Sequence, residues 1–269
     1  MQKLNNRKTT LMLAAVIIAA VLVGLFRGFI LVNYIEPETG FYIMGTNIGT
    51  IFDVSVVVLI AIIALFGFLT RKDPAPDNLN SKSTVVVFTS ALCAFMYISL
   101  FIYGIYSLMG MEGQKNYFLI AEIVLCIPCC LNHISVCTSE VRVKNTPHAL
   151  FAMSQALFFA VRVVEVFMDT TSQINVSQRS LRLLMLCSMM LFFLFEASFL
   201  VKREEGGLKS LSKYFMAGAA TAAFPLIAVL PYLAVSLFWC FESRFVIMDV
   251  VDCCIMLFAA SRLLTLKSE

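Results

Sequence analysis

The chain has 269 residues, 60% of them hydrophobic and only 14% charged, with 20 Lys and Arg against 17 Asp and Glu. Soluble domains carry roughly a quarter charged residues and about half apolar ones, so these proportions exclude an ordinary water-soluble fold. The formal charge of +3 gives no electrostatic footprint for nucleic acid, and no polar stretch is long enough to build a soluble domain. What remains is all-α: a polytopic transmembrane helical bundle forming a single domain over 1–269.

Runs of about 18 or more apolar residues are long enough to cross a bilayer, and the sequence predicts eight of them, at 10–33, 48–69, 84–108, 117–137, 149–168, 181–201, 214–239 and 245–264. Lys3, Arg7 and Lys8 followed by Leu11–Phe26 have the outline of a signal peptide. The apolar run, however, resumes after Arg27 with Phe29–Val32, and no small-x-small site closes it, so an uncleaved first span is expected. Gly24 and Gly28 within it, and Gly45 and Gly49 at the entry to span two, are small-residue pairs that permit close helix contact. Between them lies Glu36-Pro37-Glu38-Thr39-Gly40-Phe41-Tyr42, a turn-forming segment. Its aromatics, with Tyr34, fit either an interfacial belt or a lid over a ligand.

Ser81 and Ser83 supply capping hydroxyls ahead of span three, and Thr146-Pro147 does the same for span five. Span four carries Cys126, Cys130, His133 and Cys137 on one stripe, with Pro128 between them. Thiolate and imidazole suit soft metals, but four residues spread over about 16 Å of one helix do not converge on one ion. Packing is their expected role, as for the other cysteines, and no metal or cofactor is expected. His148 is expected to be a solvated first-turn residue. Glu196, near the end of span six, is expected to snorkel toward Lys202 and Arg203.

Span seven combines the small face Ala217–Ala223 with Pro225 and Pro231. Its readings are tight packing with kinks, or a broken helix at a transport site. The count of seven or eight spans turns on Cys240–Arg244, where Glu242, Ser243 and Arg244 argue for a break.

Loops on one side of this arrangement hold fourteen of the twenty Lys and Arg, and those on the other hold four, Lys115, Arg179, Arg182 and Arg244. Basic loops stay in the cytoplasm, so eight spans with both termini cytoplasmic in a cell membrane are predicted. Arg27 and Arg162 complete the twenty and lie within spans.

Seven intramembrane charges fall toward the exterior end of their spans: Arg27, Asp53, Glu122, Arg162, Glu165, Asp249 and Asp252. Each costs on the order of 2.5–3.5 kcal/mol at a helix centre by insertion scales, so their shared level points to mutual pairing or a common polar vestibule. Arg162 with Glu165, and Asp249 with Asp252, are three apart and point the same way on their helices. With two positive and five negative members, a shared cavity favours a cation or a proton-coupled ligand. The competing reading is structural ion pairs between helices, with some residues snorkelling.

Glu122–Cys126 in span four is similar to Asp249–Cys253 in span eight, and Arg27 and Arg162 occupy similar depths, which suggests a four-plus-four repeat of 1–145 and 146–269. The Glu-Pro-Glu-Thr-Gly-Phe-Tyr loop, with no attached domain, resembles those of uncharacterised bacterial multi-pass integral membrane proteins. That resemblance implies no activity and no site residues.

There is no HExxH, GxSxG or phosphate-binding loop, and Glu204-Glu205 falls in a connection, so an enzyme is not expected. The sequence favours binding or transport of a small polar or cationic ligand at an outward-facing polar site formed by the seven charges. The alternative is a non-catalytic subunit, sensor or scaffold that works through a membrane or cytosolic partner protein. Apart from the lipid bilayer itself, no other partner is indicated.

Overall fold

The computed structural model describes residues 2–35, 42–43, 47–71, 83–110, 116–138, 146–168, 176–201, 211–239 and 247–265. Glu36–Phe41, Gly45, Ser81, Lys202 and Arg203, Glu204-Glu205 and the Cys240–Arg244 turn lie outside the described residues. The helices are α1 (Gln2–Asn33), α2 (Ile48–Leu69), α3 (Thr84–Gly110), α4 (Tyr117–Thr138), α5 (Thr146–Met168), α6 (Val176–Val201), α7 (Leu211–Ala228), α8 (Leu230–Trp239) and α9 (Ile247–Leu264).

Seven helices are long and apolar enough to cross a membrane, α7 continuing through Val235 as one of them, which fits an integral membrane protein. The lateral surface says the same. Leu22, Leu25, Val57, Phe68, Phe88, Phe95 and Val124 are all well exposed, an arrangement water would penalise and hydrocarbon does not. The expected eighth span is α9, an 18-residue helix carrying Asp249, Asp252 and Arg262. Three charges in 18 residues keep it out of the apolar set. It is screened instead by protein, packing against α3, α7 and α1.

Burial patterns set each helix's place. In α2 the buried residues are Phe52, Val56, Leu59, Ile63 and Gly67, a single stripe, as expected of a helix on the rim. In α7 nearly every described position is buried, because small side chains admit neighbours on all sides: α6, α9, α1 and α2. Helices α3, α4, α5, α6, α7 and α9 contact one another in sequence and close into a ring, while α1 and α2 flank α7.

Consecutive spans alternate in direction. Lys8 at the start of α1 donates to the Leu69 carbonyl at the end of α2 (3.1 Å). Ser212 at the start of α7 donates to the Gly67 carbonyl (2.6 Å). A Cβ on Gly218 would lie 3.0 Å from Leu263 near the end of α9, and Thr89 at the start of α3 lies 2.9 Å from Ser261 of α9. The start of α1 and the end of α9 therefore share one end of the bundle, the proximal end; the other is the distal end.

Several helix ends differ from those read from the apolar runs. Helix α1 begins at Gln2, so the basic segment continues the first helix instead of preceding it. Helix α6 begins at Val176 and carries Arg179 and Arg182 inside its first two turns. The Asn116 carboxamide oxygen accepts from the Phe118 and Leu119 N–H groups (3.1 and 3.2 Å), an N-cap for α4 that satisfies two otherwise orphaned donors.

Candidate functional site

Five of the seven charges singled out in the sequence meet at the distal end of the ring. Arg162 of α5 grips Asp252 of α9 with both terminal nitrogens; Nη2 lies 2.9 Å from Oδ2, and the side chains are 4% and 0% exposed. One turn away, Arg182 of α6 pairs with Asp249 of α9 at 2.9 Å. Glu122 of α4, 2% exposed, lies within electrostatic reach of the half-buried Glu165 of α5, and of Arg162 and Asp252.

Charge counting isolates the interesting pair. Arg162 is matched by Asp252, and Arg182 by Asp249, so Glu122 and Glu165 are left beside each other with no cation of their own among the described residues. Two adjacent carboxylates in a low-dielectric setting repel unless a proton or a cation lies between them. Glu122 Oε1, the Tyr97 hydroxyl and Gln155 Oε1 are buried without a hydrogen-bond partner among the described residues. The Tyr97 ring lies within electrostatic reach of Arg162. Buried polar atoms almost always find partners, so each of these groups holds unused hydrogen-bonding capacity.

Arg27 and Asp53 do not join this group. Arg27 is buried between α1, α2 and α6, donating to the Tyr42 hydroxyl (2.8 Å) and to Gln178 Oε1 (3.2 Å), with its guanidinium 4.8 Å from the Phe52 ring centre. Gln178 Nε2 in turn donates to the Ala228 carbonyl (3.1 Å). The helical ladder continues through Val229, whose N–H donates to the Pro225 carbonyl and whose carbonyl accepts from Leu233 N–H, both at 3.0 Å, while Pro231 brings no N–H. Span seven is thus a kinked but continuous helix from Leu211 to Val235, and its Ala228 carbonyl takes a side-chain donor from α6. Gly24 lies against the same kink, since a Cβ there would collide with the Leu226 carbonyl oxygen. Tyr42 is turned inward onto Arg27, and Asp53 is exposed on the rim helix α2.

A second buried ion pair lies at the proximal end. Glu196 of α6 meets Arg262 of α9 at 3.1 Å, with side chains 3% and 2% exposed. The sequence reading directed Glu196 to Lys202 and Arg203 and counted Arg262 among the loop charges; both are corrected here. Their flanks explain the miss, because Glu196 and Arg262 sit close enough to helix ends to pass for snorkelling residues. Arg262 is followed by Leu263 and Leu264 rather than a polar loop, the signal that it faces inward.

Between Arg162 and Arg262 runs an unbroken chain of ring contacts. Arg162 lies 5.8 Å from Phe158, Phe158 5.5 Å from Tyr97, Tyr97 5.8 Å from His133, His133 4.8 Å from Phe258, and Phe258 5.2 Å from Arg262. His133 is fully buried, its Nδ1 3.0 Å from Ser90 Oγ. Cys130 and Cys137 point their thiols at the Ala94 and Val87 carbonyls of α3. The Cys/His stripe is therefore used in packing α4 on α3. Among the described residues, no group of three or more His, Cys, Asp or Glu is placed to hold a metal ion.

No protein-family model, curated relative or solved structure matches the chain. The functional reading accordingly rests on this geometry alone.

Proposed function

We propose that this is a membrane protein that binds a small cation, or a proton, at the Glu122–Glu165 pair and passes it across the bilayer. In this reading the chain crosses a bacterial cell membrane eight times, with both termini cytoplasmic and the distal end facing outward. The single observation that carries it is the carboxyl pair left uncompensated after the distal arginines are matched. Arg162 and Asp252 hold the pair's surroundings in place, and the Phe158–Tyr97–His133–Phe258 stack separates it from the proximal side. The kink around Val229 and Pro231, with Gly24 packed against the Leu226 carbonyl, bends span seven near the same level. No catalytic chemistry is assigned.

Cation binding stabilises whichever state holds the site together. The thermal midpoint of the purified protein, measured in sodium chloride against choline chloride at equal ionic strength, is expected to rise in sodium. That rise is expected to vanish in Glu122→Gln and Glu165→Gln. If the occupant is a proton, mild acid raises the midpoint of the native protein and not of the two variants. Equal behaviour of all three proteins in every buffer overturns the reading.

A specific observation favours the alternative of a non-catalytic subunit. A lipid-facing groove of about 540 Å³ runs between α1 and α8, lined by Gly24, Gly28, Pro231 and Ala234 among others. Small residues on a groove of this kind suit close approach of another helix. Under that reading the buried ion pairs are structural, and neither Glu122 nor Glu165 responds to salt.

A further inference from the structure

A second groove, of about 400 Å³, opens laterally between α2, α6 and α7. Its walls include Ile63 and Ala64 of α2, Leu191 of α6, and Ala217 and Ala220 of α7, and Lys213 stands at its proximal mouth. Lys213 is exposed, and among the described residues its ammonium has no carboxylate partner. It occupies the first turn of α7, where the helix dipole adds positive potential. From Lys213 to Phe224, at the groove's far end on α7, the helix rises about 16 Å, half of the roughly 30 Å hydrocarbon thickness of a bilayer.

We propose that this groove is a binding site for one anionic phospholipid, independent of the carboxyl pair. Its acyl chain would lie along Ala217 and Ala220, and its phosphate against Lys213 and the start of α7. The length matches one leaflet, the walls are apolar, and the only charge on the lining has the sign that a phosphate requires. In the orientation proposed above this is the cytoplasmic leaflet, where anionic lipid attracts basic residues.

The test is native mass spectrometry of the full chain, delipidated and then titrated with phosphatidylglycerol or phosphatidylcholine. The native protein is expected to retain one phosphatidylglycerol at concentrations where phosphatidylcholine is lost. A single lysine near the surface gives about a fivefold preference, which Lys213→Gln should abolish. Ala64→Trp, on an exposed groove position, fills the cleft and is expected to weaken binding of both lipids. Equal retention of the two lipids by the native protein, or a preference unchanged in Lys213→Gln, overturns the proposal. So does a stable homodimer that Ala64→Trp disrupts with no lipid preference, since a second copy would then occupy the cleft.

Discussion

Arg162 and Asp252 meet as a two-pronged fork between α5 and α9, 90 residues apart in sequence and both almost wholly shielded. A buried pair of this kind is costly to break, because the survivor is left charged without a partner. Asp252→Ala should destabilise the fold by about 3–5 kcal/mol. Arg162→Lys should recover little, since an ammonium does not reproduce the planar fork. The double variant Arg162→Leu/Asp252→Leu should regain most of the loss, as measured by unfolding in detergent and closed as a double-mutant cycle.

Gly24 and Gly28 form one motif but carry unequal loads. A Cβ at 24 would strike the Leu226 carbonyl, whereas one at 28 would sit 3.9 Å from the Pro231 side chain. Gly24→Ala is expected to push α1 away from α7 and to cost about 1–3 kcal/mol by overpacking. Gly28→Ala should be tolerated. Thermal midpoints of the two variants, compared side by side, check the difference.

Gln178 links Arg27 to the Ala228 carbonyl at the kink in span seven. In Gln178→Leu both groups lose that partner, and leaving buried polar groups unsatisfied costs about 1–3 kcal/mol. Hydrogen exchange is the sharper readout. Amides around Val229–Leu233 should exchange faster than in the native protein, while those of α3 and α4 remain unchanged.

Asp53 is exposed on the rim helix, although the sequence placed it with the other six. Asp53→Asn is expected to leave stability within about 0.5 kcal/mol of the native protein and to keep the response to sodium intact. Loss of that response in Asp53→Asn would place the site elsewhere.

The helices were legible because lipid-facing and bundle-facing residues are both apolar, so each span appears as one long run. The boundaries of α2 show this most clearly, falling at Ile48 and Leu69 as the run predicts. The kink within span seven was legible too, from Pro225 and Pro231. Charge partners were not. Glu122 and Asp53 look alike in sequence, each an acid a turn or two inside an apolar run, and only packing decides that one is buried and the other exposed. Arg182 was counted with the exterior loop although it is the second residue of the run predicted at 181–201, whereas α6 begins at Val176 and places it two turns inside the helix. Its pairing with Asp249 depends on α9 lying within side-chain reach of α6 past α7 at the distal end, a relationship of three dimensions that no spacing encodes.

The most direct measurement of the central claim is covalent labelling of the carboxyl pair. Dicyclohexylcarbodiimide reacts with carboxylic acids in apolar surroundings, and peptide mass spectrometry locates the adduct. An adduct is expected on Glu122 or Glu165 in sodium-free buffer, suppressed by sodium but not by choline, with none on Asp252 beside Arg162. Labelling that avoids both glutamates, or that proceeds equally in either salt without any dependence on pH, would contradict it.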